Sequence, residues 1–194
     1  FIIVIVTSCS QEKNTIVNRS YHNMTARYNG YFNGRLALDD AHRKMTESYQ
    51  EDYTQLLPIF ISSVDELVQP VFPDLERAIK KTSLVVDRHS MDINGKENCK
   101  WIDDTWIVMG EANFLKGELV QAKQIFDFTK RKYPDPAIEQ LSRYWLARIY
   151  TKQGVYTRAG DELRKLENGT GFPEKRLSEL YAFKTQYYLQ QDRK

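Results

Sequence analysis

The chain has 194 residues, 41% hydrophobic and 28% charged, which excludes a disordered or collagen-like polypeptide and suits one domain or a short repeat array. Its 28 Lys and Arg nearly balance 26 Asp and Glu, a formal charge of +2, so composition gives no general attraction to nucleic acid.

Residues 1–6 read FIIVIV, followed by Thr7-Ser8-Cys9 and the polar stretch SQEKNT. A bilayer-spanning helix needs about 20 apolar residues, so this run is too short to cross one. It suits the end of a secretory signal segment with small residues at a cleavage site. Val6-Thr7-Ser8-Cys9 runs aliphatic, small, small, Cys and resembles a bacterial lipobox. That resemblance implies cleavage before Cys9 and covalent lipid on its thiol and new amino group; no other cofactor is expected. The alternative is a buried strand, FIIVIVTS, ending in a core cysteine. With Cys9 lipidated, Cys99 is expected as a packed or free thiol just before a helix, a Cys9–Cys99 bridge being the alternative. The cysteines and His22, His42 and His89 show no metal-ligand spacing. From the start at Phe1 and the finish at Lys194, within what reads as another repeat, the chain is expected to be a piece of a longer protein.

Residues 10–18 read as a tether and 19–100 as a degenerate, TPR-like helical region. Tyr21, Tyr28, Tyr31 and Phe32 fall near helical spacing, Asn33-Gly34 is expected to break that helix, and Leu38, Ala41 and Met45 share one face of the next. Pro58 makes 52–62 irregular, and 64–69 reads as a short helix. Pro73 opens a longer helix, with acids Asp74 and Glu76 in its first turn and a buried stripe of Leu75, Ala78, Ile79, Thr82, Val85 and Val86. A loop over 92–96 follows.

Internal repetition is the strongest signal. Over 101–136 the spacing fits a tetratricopeptide repeat (TPR), a helical hairpin in which small residues let helices approach and large ones fill the gaps. Trp106 is the large residue of the first helix, Gly110 the small residue at the crossing, and Gly117 the turn. Ala122 and Phe126 are the small and aromatic positions of the second helix, and Pro134 ends the unit. Asn113 occupies the usual aromatic position, with Phe114 beside it. A second unit over 137–173 places Leu146, Ala147, Tyr150, Gly154, Ala159 and Leu163 on the same template. A truncated third helix over 174–194 carries Leu180, Phe183, Tyr187 and Tyr188 on one face. The expected fold is an all-α, TPR-type helical-hairpin solenoid behind the degenerate helical region, a generic helical bundle being the alternative. Lys123, Lys130 and Arg131 read as a solvated face, or as a contact for an acidic partner; Trp101-Ile102-Asp103-Asp104 reads as a helix cap, or as an exposed docking run.

The linking segments carry a further resemblance. Tyr28-Asn29-Gly30-Tyr31-Phe32-Asn33-Gly34, Leu57-Pro58-Ile59-Phe60, His89-Ser90-Met91 with Gly95-Lys96-Glu97, and Trp101-Ile102-Asp103-Asp104 occur in that order and resemble the PorW/SprE lipoproteins. That family's periplasmic TPR proteins belong to the type IX secretion and gliding machinery of Bacteroidota. The resemblance covers nearly the whole chain. It implies an adaptor whose partners are outer-membrane translocon and periplasmic ring or motor proteins, anchored through Cys9 to the periplasmic face of the outer membrane. Ser10-Gln11-Glu12-Lys13-Asn14 lacks the dense acidic cluster of surface-exported lipoproteins, in line with that side. A TPR lipoprotein of another outer-membrane assembly or nutrient-uptake complex is the alternative. Catalysis, such as cell-wall hydrolysis, is not expected: there is no Gly-rich phosphate loop, HExxH or GxSxG.

Overall fold

The computed structural model describes residues 10–55 and 57–191, so the lipobox and Cys9 lie outside the described residues. The first helix begins earlier than its aromatic spacing implies. Thr15 is extended and its hydroxyl accepts the Asn18 amide (3.2 Å), a side-chain cap that starts α1 at Ile16–Thr25. Residues 16–18, read as tether, are therefore its first turn.

Asn33-Gly34 does not break the helix. From α1 the chain passes through a π-helical turn, Ala26–Tyr31, directly into α2, Phe32–Ser48. The two glycines serve close packing instead. A Cβ on Gly34 would lie 2.7 Å from Thr82 Cγ2, and one on Gly30 would collide with Val85. Both neighbours belong to α4, Phe72–His89, which is thus the hairpin partner of α2. Buried Asp74 ties the pair together, accepting from Lys44 Nζ at 2.5 Å and Arg77 at 3.0 Å. Between them, irregular chain leads to a 3-10 turn at Ile61–Ser63, the one-turn α3 at Asp65–Val68, and a 3-10 turn at Gln69–Val71. On α4, Leu75, Ala78, Thr82 and Val85 are buried, with Ile79 and Val86 half-buried at the edge.

The expected loop after α4 is a small hairpin. β1 (Asp92–Ile93) and β2 (Lys96–Glu97) pair antiparallel across Asn94-Gly95. Glu97 secures it, accepting from Ser90 Oγ (2.6 Å) and the amides of Met91 (2.7 Å) and Cys99 (2.8 Å).

The second half is a run of helices: α5 (Ile102–Lys116), α6 (Leu119–Lys132), α7 (Pro136–Lys152), α8 (Tyr156–Asn168) and, after a 3-10 turn at Glu174–Arg176, α9 (Leu177–Gln191). Gly117 closes α5 with φ 87° and Gly154 follows α7 with φ 74°, left-handed values at which a side chain would be strained. Asp135 caps α7 by accepting the Ala137 amide (2.7 Å), and Pro136 takes the first helical position. These short connections send each helix back along the previous one. Consecutive helices pack throughout, and alternate helices α2, α5, α7 and α9 also touch in series. That makes one layer, with α4, α6 and α8 on its other side. The fold is thus all-helical apart from the small hairpin among the described residues, packed in the manner of a helical repeat. No helix among the described residues is long and apolar enough to cross a membrane.

Candidate protein-binding face

The repeat-defining residues meet mainly between α5, α6 and α7. A Cβ on Gly110 would lie 2.5 Å from Phe126 Cζ, so the helix crossing requires a residue without one. Phe126 is fully buried and stacks on Trp145 with ring centres 5.9 Å apart and planes 7° apart. Phe114 reaches the same indole at 5.1 Å. The neighbouring Asn113 donates to the Met109 carbonyl at 2.7 Å, so Phe114 supplies the aromatic packing. Trp145, which the repeat template does not mark, is therefore the hub of this core. Ala122 and Ala159 are fully buried, and Tyr150 is buried. Trp106 is half-buried against Phe128 (5.0 Å), and Pro134 is exposed in the link after α6.

Three surface readings change. Lys130 is not a solvated side chain: it pairs with Glu162 of α8 (3.2 Å), which also receives Arg143 of α7 (2.8 Å). Tyr188 is exposed, unlike Phe183 and Tyr187 on the same helix. At the start of α5, Trp101 holds the N-cap position without a side-chain cap, wedged against Tyr31 (5.2 Å) and Arg27 (4.8 Å). Asp103 and Asp104 follow in the first turn, where Asp103 accepts the Asp104 amide at 2.8 Å.

These two acids open onto a cleft of about 650 Å3 along the layer of alternate helices. Its wall takes Tyr31 from the π-helical turn, Arg35 from α2, Asp103 and Asp104 from α5, Asp135 ahead of α7, and Arg176 before α9. Burial, then the neighbouring charges of Asp104 and Asp135, push the Asp103 carboxyl up to about 6, against the stabilising amide hydrogen bond. Asp104 is raised by burial and by Asp135, opposed by Lys175 and Arg35. Of the cations lining the cleft, Arg35 pairs with Asp39 (3.0 Å) and Arg176 with Glu179 (2.7 Å) and Glu111 (3.4 Å), while Lys100 and Lys175 face it as well. Glu111 is buried in α5. Burial opposes its charge, but Arg176 and His42 outweigh it and hold the carboxyl down at about 2. Glu111 thus links α5 to α2 through His42 (3.3 Å) and to the turn before α9 through Arg176. With one oxygen of Asp135 taken by the α7 cap and one of Asp103 by the Asp104 amide, the remaining carboxylate oxygens of the three aspartates are suited to cationic side chains and backbone amides of a bound segment.

The histidines are not all apart. His22 on α1 and His89 at the end of α4 meet with Nδ1 atoms 3.1 Å apart, and the buried Cys99 thiol donates to the His22 carbonyl at 3.7 Å. Burial, then His22 and Arg88, lower the pKa of His89. A separation of 67 residues hides this pair from any local spacing rule. Among the described residues no three His, Cys, Asp or Glu side chains are gathered to hold a metal ion. No protein-family model matches the chain, and no curated protein sequence matches it.

Proposed function

We propose that the chain is a TPR-type adaptor that holds partner proteins along the layer formed by α2, α5, α7 and α9. The observation that carries this reading is the cleft on that layer, walled by successive helices and rimmed by Asp103, Asp104 and Asp135. Stacked helical hairpins offer such a surface to an extended peptide or a helix of another protein. The resemblance of the linking segments to PorW/SprE lipoproteins assigns the adaptor to type IX secretion and gliding, anchored through Cys9 to the periplasmic face of the outer membrane. Affinity purification from envelope extracts tests both parts. Recovery of translocon, ring or motor proteins supports the assignment, and recovery of barrel-assembly or nutrient-transport proteins instead refutes it. The anchor has its own test: Cys9→Ala should move the protein from the membrane to the soluble fraction, and retention on the membrane would refute lipidation as the anchor.

A further inference from the structure

A second cavity, also about 650 Å3, lies where the C-terminal ends of α5 and α7 meet the linker and α9. Arg148 of α7 lines it and is only 8% exposed. Aromatic rings surround its guanidinium: Phe60 at 4.0 Å, Trp145 at 4.7 Å, Phe114 at 4.9 Å and Tyr144 at 5.6 Å. Such contacts offset part of the desolvation cost. They do not satisfy N–H donors. The Tyr144 hydroxyl accepts one hydrogen bond at 3.2 Å, and no carboxylate pairs with Arg148 among the described residues. A buried guanidinium normally sits against an acid, because burying its charge alone is strongly unfavourable. Lys152, one turn on and 5.7 Å from the Phe114 ring, is exposed and likewise has no ion-pair partner among the described residues. Among the described residues no Asp or Glu lines the cavity, and Gln186, Gln190 and Thr151 add polar groups to its wall.

We propose that this cavity is a carboxylate-binding subsite for an acidic peptide segment. The acid pairs in the plane of the Arg148 guanidinium, whose fork matches the two oxygens of a carboxylate, and Lys152 adds a point charge at the mouth. The volume suits a few peptide residues. The carboxylate is either an Asp or Glu side chain or a chain terminus, since both present the same planar anion. The proposal deepens the adaptor reading and rests on it for the choice of a peptide as ligand.

The test is affinity selection on the purified protein from a random library of short peptides with free C-termini, followed by fluorescence polarisation of the selected peptides. Selected peptides should be enriched in Asp or Glu or depend on a free C-terminus. Their affinity should fall about tenfold or more for Arg148→Met and several-fold for the exposed-site variant Lys152→Met. Loss on amidating the peptide assigns a chain terminus, and loss on Glu→Gln within it assigns a side chain. Failure to enrich any peptide, enrichment without acids or terminus dependence, or full affinity in a folded Arg148→Met protein would each overturn the subsite. If Arg148→Met does not fold, unchanged affinity in Lys152→Met overturns it. Should both variants still recover the native partner proteins from extracts while the peptide selection fails, the adaptor reading stands and the subsite alone is lost.

Discussion

Substituting alanine for Gly110 isolates the contact on which the α5–α6 pairing depends. The new Cβ would lie 2.5, 2.7 and 2.9 Å from Phe126 Cζ, Cε1 and Cε2. Phe126 has little room to yield, being fully buried and stacked on Trp145, which Phe114 holds from another side. Overpacking of this kind costs about 1–3 kcal/mol. Exchanging a mid-helix glycine for alanine returns about 1 kcal/mol through backbone entropy. The expected net loss is therefore about 1 kcal/mol, a fall in Tm of roughly 2–4 °C at this chain length. The sharper quantity is the coupling with Phe126→Leu, which removes the ring atoms that the Cβ meets. In that background Gly110→Ala should be neutral or stabilising, a coupling of about 1 kcal/mol or more. Gly117→Ala is the control: nothing lies within 4 Å of its added Cβ, so its cost is left-handed strain of about 1–2 kcal/mol, independent of Phe126. Urea unfolding followed by circular dichroism measures the four proteins of the cycle and the control. Stabilisation by Gly110→Ala alone, or an identical effect in both backgrounds, would refute the close-approach argument.

Other consequences follow from charge and burial. Because the folded pKa of Asp103 is raised to about 6, the folded protein holds a proton there that the unfolded chain releases near 4; this residue's contribution to stability is full below about pH 4 and is lost as pH rises through about 6. Asp103→Asn should accordingly raise Tm at pH 7 and change it little at pH 4, and thermal melts at the two values read the difference. Glu111 has the opposite sign: its folded pKa is depressed to about 2, so its stabilisation is present above about 4.5 and lost as pH falls towards 2. Glu111→Gln removes the buried acid facing Arg176, which keeps its partner Glu179, and should cost roughly 1–3 kcal/mol at pH 7 by urea unfolding. Cys99 is buried and its thiol is pushed up to about 11, chiefly by burial, so in a Cys9→Ser background it should resist Ellman's reagent while folded and react fully once unfolded. Rapid native labelling would contradict that packing.

The second half was legible because its signals are local. Gly117 and Gly154 mark turns by backbone conformation, and Gly110 and its crossing partner Phe126 lie only 16 residues apart, at fixed positions of one helical hairpin. The first half misled at Asn33-Gly34, because a glycine required by a neighbouring helix and a glycine required by a turn look alike in one sequence. Only the position of Val85 and Thr82, some fifty residues on, separates the two. The same distance problem hid the His22–His89 contact and the Glu111–Arg176 link. The segment from Ser90 to Glu97 shows why a run can be distinctive without being a docking site: Glu97 spends its carboxylate on Ser90, Met91 and Cys99 to fold the hairpin. Trp145 was overlooked because the repeat template assigns size to other positions, whereas three aromatic neighbours make it the centre of the core.

Crosslinking mass spectrometry on native envelopes tests the adaptor claim most directly. Lys100 and Lys175 line the cleft, while Lys80 and Lys81 are exposed on α4 in the other layer. The account predicts crosslinks from Lys100 and Lys175 to translocon, ring or motor proteins of the secretion machinery. Crosslinks confined to Lys80 and Lys81, or leading to barrel-assembly or nutrient-transport proteins, would contradict it.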